Sequence, residues 1–248
     1  MGNAVHPVRE LPEGAVHIWR IPLAANAATL ASYHRLLAPE ESARAASFHF
    51  EIHRARFAIG RARLRLVLAS YLGCEPAALV FSYTEHGKPY LSGSWLTFNL
   101  SHAHEMAVIG VARSRAIGVD IEHIRAELAG EEIAERYFAS AEVRALRSFP
   151  PEELPAAFFR CWTRKEAYIK ARGEGLSMPL SDFEVSLEEK EDLRLVHYTE
   201  PEEGVRWRLR NVPVQKGYVA AVAVEGQNLT FEYIDWNDDA DGKRGSML

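Results

Sequence analysis

The stretch WTRKEAYIKARGEG, residues 162–175, decides how this chain is read. Glu166 stands four residues before Lys170, and side chains four apart share one face of a helix. On a helical wheel the neighbours of Glu166 are Phe159, Trp162 and Ile169, with Thr163 and Lys170 on the other flank. A carboxylate ringed by two aromatics and an isoleucine is not on an ordinary solvated face. It needs a metal, a cation or a raised pKa to make burial tolerable. The run predicts a long helix over 156–172, approached by Pro150, Pro151 and Pro155 and ended by Gly173.

A second carboxylate pair lies upstream in IGVDIEHI, residues 117–124. Strand side chains alternate faces, so Val119 and Ile121 enter a core while Asp120 and Glu122 point together to the other side. Two carboxylates side by side repel unless a cation lies between them. Oxygen ligands from a few carboxylates, completed by substrate phosphates, suit magnesium. Each pair alone has a plainer reading. Asp120 and Glu122 fit the solvated face of a strand, and Glu166 with Lys170 fits a surface pair worth about 0.2–0.5 kcal/mol.

Together and in this order the two motifs resemble the 4′-phosphopantetheinyl transferases, in the larger two-subdomain type that serves carrier proteins of peptide and polyketide synthesis. The family pattern is G-[IV]-D-x-E, then W-x-x-K-E-[AS]-x-x-K-x-x-G; this chain reads GVDIE at 118–122 and WTRKEAYIKARG at 162–173. PEESAR (39–44), GRARLR (60–65), EHGKP (85–89), FNLSH (98–102) and AERYFASAE (134–142) fall in the family order, so the resemblance spans roughly residues 37 to 184. It implies that Asp120, Glu122 and Glu166 bind magnesium and that Lys170 contacts the transferred phosphate. It makes Glu166 and Lys170 the catalytic pair. Ser101 and His102 match a pair that holds the coenzyme A phosphates, Lys88 a lysine near the nucleotide, and Arg44 a basic residue that reaches the 3′-phosphate. Two positions depart from the pattern. Glu41 stands where some relatives carry a second phosphate-binding lysine, and Phe57 where some carry threonine.

The implied fold is α+β, with two similar pseudo-twofold-related subdomains. Each is a small, mostly antiparallel sheet packed with a long helix, and the active site lies at their interface. The chain carries its own signs of duplication: GYVAAVAVE (217–225) echoes MAVIGVA (106–112), and each half has one long helix ending in glycine. The expected divisions are 1–115, 116–236 and a polar, disordered tail over 237–248. In the first half, strands are expected at 15–22, 79–91 (around a turn), 96–102 and 106–112. Helices are expected from Pro39 and over 54–72, the latter with a basic stripe of Arg54, Arg61 and Arg65 on a solvated or inter-subdomain face. In the second half, helices are expected at 130–138 and from a cap at Ser140 to Arg147. Strands are then expected in FEVSL, LRLVHY, VRWRLR and YVAAVAVE.

Composition bounds the rest. The 248 residues are 48% hydrophobic and 25% charged, the balance of a globular chain with a substantial core. A net charge of −5 argues against general binding to nucleic acid or anionic membranes. Only Cys74 and Cys161 are present, which suggests reduced thiols and a cytoplasmic setting. MGNAVHPVRE has no apolar signal region, and no run approaches a membrane span. His53, His123 and Cys161 do not make a zinc spacing. The expected protein is a monomer using Mg2+ and coenzyme A, with an acyl or peptidyl carrier protein as partner. Two rival readings stand beside it. A magnesium nuclease would often carry a lysine two residues after an acid, but His123 and Ile124 follow Glu122. A non-catalytic module would use the arginines and Lys88 to hold a nucleotide or an acidic protein.

Overall fold

The structure, a computed structural model, describes residues 8–175, 178–188 and 193–238. Strand β1 (Ala15–Pro22) is followed by helices α1 (Ala27–His34), α2 (Pro39–Ala46) and α3 (Glu51–Leu72). A short hairpin of β2 (Ser82–Tyr83) and β3 (Pro89–Tyr90) leads into β4 (Leu96–Ala103), β5 (Met106–Arg113) and β6 (Ile117–His123). Helices α4 (Glu131–Tyr137), α5 (Ser140–Leu146) and α6 (Leu154–Arg172) come next. The chain then forms β7 (Phe183–Val185), β8 (Leu195–His197), the single turn α7 (Glu203–Arg206), β9 (Trp207–Asn211), β10 (Tyr218–Glu225) and β11 (Thr230–Asp235).

Two sheets pack face to face with one long helix outside each. The first has the order β11-β1-β5-β4 and the second β6-β10-β9. Alternation sorts the side chains. Val16, Ile18, Val108 and Ala112 of the first sheet meet Val119, Ile121, Val222 and Val224 of the second. On the outer face of the first sheet, Trp19, Ile21, Ala107 and Ile109 pack with Ala62, Leu66 and Ala69 of α3. On the outer face of the second, Ala221 and Ala223 pack with Ala167 and Ala171 of α6. Strand β5 therefore reads as an unbroken apolar run because both of its faces are covered. Both long helices stop at a glycine with positive φ, Gly73 at 63° and Gly173 at 78°.

The pseudo-twofold relation reaches into the helix pairs. Glu41 in α2 accepts from the backbone N–H of Ala38, and Glu142 in α5 accepts from that of Ala139, at 3.0 and 2.9 Å. Each then reaches a base on the long helix that follows. Glu41 Oε2 lies 2.7 Å from Arg65 Nε, and Glu142 Oε2 lies 2.7 Å from Lys165 Nζ. All four side chains are buried. Ser140 is accordingly the first residue of its helix rather than the expected cap, because the glutamate side chain supplies the capping acceptor.

Several sequence expectations need correction. Arg61 and Arg65 do not form a solvated face. Both are buried, held by Glu41 and, for Arg65, by the carbonyls of Pro76 and Leu79. The face of β6 that carries Asp120 is covered by α6, so Asp120 is only 3% exposed. Helix α1 and strand β11 were not foreseen. Strand β11 runs parallel to β1, so a segment expected in the second subdomain completes the first sheet. Asp238, inside the expected tail, pairs with Arg63 at 2.7 Å. The rest of that tail, 239–248, and residues 1–7, where no signal sequence is expected, lie outside the described residues. No helix among the described residues is long and apolar enough to cross a membrane.

Candidate active site

Strand β6, the end of β4 and helix α6 converge on a cavity of about 870 Å³. Its wall includes Ser101, His102, Asp120, Glu122, Glu166 and Lys170, six of the eight residues singled out from sequence, together with Tyr137 and Trp162. The local reason is the crossing of α6 over β6. A Cβ on Gly118 would lie 2.1 Å from the carbonyl oxygen of Ala167 and 2.3 Å from the backbone nitrogen of Ala171. Glycine at 118 lets the helix backbone touch the strand. That contact brings Glu166 and Lys170 over Asp120.

At the centre, Asp120 Oδ1 accepts from Lys170 Nζ at 2.5 Å and from Ser101 Oγ at 2.8 Å; Lys170 also reaches Ser101 Oγ at 3.1 Å. Asp120 Oδ2 is buried and has no hydrogen-bond partner. Burial pushes the Asp120 carboxyl up against the opposing pull of Lys170. Burial and then the Asp120 charge push Glu122 up, and burial pushes Glu166 up, with Asp120 adding to it and Lys170 resisting. These are carboxylates short of positive charge. Hard oxygen donors, mutual repulsion and an unpartnered buried oxygen fit a magnesium ion. Among the described residues, however, no three His, Cys, Asp or Glu side chains converge into a ready-made metal cage.

His102 joins three cavities. It borders the carboxylate site, a cavity of about 510 Å³ lined by Glu41, Arg44, Arg56, Phe57, Arg61, Gly87 and Pro89, and a cleft of about 350 Å³ lined by His53, His104, Glu122 and His123. The surrounding walls desolvate His102 and, with the Lys170 charge, lower its pKa. Arg44 lines the second of these cavities. Arg56, which the sequence reading passed over, lines it too. Arg56 lies off the stripe of 54, 61 and 65, and nothing in the helical pattern marked it. Glu41 does not confront a phosphate with free charge. Burial opposes its ionisation, but Arg65 and Arg61 outweigh that and hold its pKa below the ordinary value.

Lys88 is held by the end of α6 and by β6. Its ammonium does not line the basic cavity, although its neighbours Gly87 and Pro89 do. It turns instead to backbone carbonyls, donating to Ile117 at 2.9 Å and to Lys170 at 2.5 Å.

Comparison with known proteins gives the family. Residues 116–223 match the 4′-phosphopantetheinyl transferase superfamily, and residues 24–114 match the N-terminal region of 4′-phosphopantetheinyl transferases. The chain is 41% identical over 215 residues to the 4′-phosphopantetheinyl transferase HetI of Nostoc sp. (strain PCC 7120), covering 85% of this chain and 88% of that protein. It is 35% identical over 166 residues to psf-1 of Bacillus pumilus, covering 65% and 70%. It is 32% identical over 152 residues to Sfp of Bacillus subtilis (strain 168), covering 61% and 66%. Both halves of the chain, with the two carboxylate motifs in their cavity, therefore carry one conclusion: this chain belongs to the 4′-phosphopantetheinyl transferase family, in its larger form, and is an enzyme that transfers phosphopantetheine to carrier proteins.

Proposed function

We propose that the enzyme transfers the 4′-phosphopantetheine group from coenzyme A to a serine hydroxyl of an acyl or peptidyl carrier protein, with magnesium bound, and releases adenosine 3′,5′-bisphosphate. The observation that carries this reading is the buried Asp120, with its unpartnered Oδ2, sharing one cavity wall with Glu122, Glu166 and Lys170. The new bond joins the serine oxygen to the phosphorus of the pantetheine phosphate. The bond broken is the one from that phosphorus to the bridging oxygen of the diphosphate, which leaves with the nucleotide.

Asp120, Glu122 and Glu166 are the groups that would hold the ion. Magnesium there supplies charge neutralisation and orientation to the diphosphate. Lys170 stabilises negative charge on the same phosphates, and Ser101 and His102 orient them. Glu166, on the same cavity wall, is the carboxylate we assign to accept the serine proton. The work of the site is positioning and electrostatics, as in other phosphoryl-type transfers. The cavity with Arg44 and Arg56 suits the nucleotide and its 3′-phosphate. Tyr137 and Trp162, which line the carboxylate cavity, suit the carrier. The enzyme is read as a cytoplasmic monomer with both cysteines free.

The test is mass spectrometry of a panel of apo-carrier proteins incubated with the protein, coenzyme A and magnesium. The expected result is a gain of one phosphopantetheine, about 340 Da, on a single serine. No modification across several carrier types would overturn the reading. Turnover without added magnesium, in the presence of a chelator, would remove the metal from it.

A further inference from the structure

The side chain of Lys88 is part-buried, and it lines none of the three cavities around His102. Burial drives its pKa down to about 8. Among the described residues, its ammonium donates to the backbone carbonyls of Ile117 at 2.9 Å, Lys170 at 2.5 Å and Ala171 at 3.5 Å. The last carbonyls of a helix have no intrahelical donor. Those of Lys170 and Ala171 are in that position, because α6 ends at Arg172 and the N–H of Gly173 goes back to Ile169. They also lie against the strand at Gly118, where the helix backbone is in contact with β6. A cation at a helix C-terminus is favourable. Here the cation is delivered from the other half of the molecule.

The residue that delivers it sits in a stiff turn. Thr84 N–H donates to the carbonyl of Lys88 at 3.0 Å, Gly87 N–H to that of Thr84 at 2.9 Å, and Lys88 N–H to Thr84 Oγ1 at 3.1 Å. Gly87 and Pro89, on either side of Lys88, form part of the basic cavity wall. At the other end of the side chain stands the backbone of Lys170, whose ammonium is on Asp120, and of Ile117, three residues before Asp120 in β6.

We propose that Lys88 is a positioning residue for the transfer: its ammonium clasps the carbonyls of Lys170 and Ile117, and so fixes Lys170 and Asp120 relative to the wall of the nucleotide cavity. The proposal rests on the transferase reading above. It differs from the nucleotide contact that the family resemblance implies for this residue, because the amine donates to carbonyls of α6 and β6.

The experiment compares wild-type protein with Lys88→Met and Lys88→Arg. It measures kcat and KM for coenzyme A, direct calorimetric binding of adenosine 3′,5′-bisphosphate, and the melting midpoint. Assays run well below the lowest midpoint. In Lys88→Met, kcat is expected to fall about tenfold or more, the scale of a small misplacement of reacting groups. The bisphosphate Kd is expected to stay within about threefold, since a group acting only on the reacting centre leaves ground-state binding alone. Lys88→Arg, which keeps charge and donors, is expected to recover a large part of kcat. A bisphosphate Kd raised tenfold or more with kcat unchanged would mean direct nucleotide contact and overturn the proposal. Unchanged values of both would overturn it too. Should Lys88→Met not fold, Lys88→Gln carries the same comparison, and equal losses of kcat and bisphosphate affinity in it count against the proposal. An inactive wild-type protein would instead overturn the transferase reading, a failure distinct from any of these.

Discussion

Asp120 concentrates the chemistry of the site in one side chain. One carboxylate oxygen is satisfied by Lys170 and Ser101, while the other is buried without a partner. A buried polar atom without a hydrogen bond is destabilising, and a buried charge more so. Such a group is tolerated where function requires it. Asp120→Ala is therefore expected to lower carrier modification by at least about two orders of magnitude, the scale of losing a main electrostatic stabiliser. The fold should survive, because the substitution removes a carboxylate that has one unpartnered buried oxygen, and Lys170, 31% exposed, can turn toward solvent. The check is turnover by mass spectrometry beside a melting curve. Near wild-type turnover would take Asp120 out of the reaction, and a collapse of the melting transition would make its role structural.

At the scale of elements, the site depends on how closely α6 lies on β6. Gly118 permits the contact, and the motif around it reads differently once that is seen: the glycine serves the helix, and the aspartate two residues on serves the reaction. In Gly118→Ala the new Cβ meets backbone atoms of Ala167 and Ala171, which cannot rotate away as a side chain can. Overpacking of this kind costs about 1–3 kcal/mol or more. In a chain of this length that corresponds to a fall of roughly 2–12 °C in melting temperature. Activity should fall further than stability explains, since lifting the helix moves Glu166 and Lys170 away from Asp120. Differential scanning calorimetry and single-turnover kinetics on the folded variant measure the two effects separately. A variant that melts and turns over like the wild type would show that the crossing tolerates a methyl group.

At the scale of the whole molecule, an acidic protein of net charge −5 must engage its carrier through a local surface. The two aromatics at the end of α4 have separated roles. Phe138 is 4% exposed and belongs to the core, while Tyr137 is 40% exposed, stands edge-on to Trp162 at 6.4 Å and borders the carboxylate cavity. Tyr137→Ala is expected to raise the Michaelis constant for the carrier about tenfold, the size of a well-packed aromatic contact, with the constant for coenzyme A unchanged. Exposed charges are screened within about 10 Å at 0.1 M salt, so apolar docking predicts a weak salt dependence of the carrier constant. A tenfold or greater rise between low and moderate salt, with the coenzyme A constant steady, would make docking electrostatic. By itself the sequence determined the two motifs, the faces of 117–123 and 156–172, and the principal strands and long helices, because period and end signals are local and survive without tertiary context. It did not determine that Arg61 and Arg65 are buried on Glu41, that Lys88 donates to the carbonyls at the end of α6, or that the final strand joins the first sheet. Each of these pairs groups far apart in the chain. A charged side chain reads as solvated, and an exposed edge strand as loop, until the fold brings the partner that changes its environment.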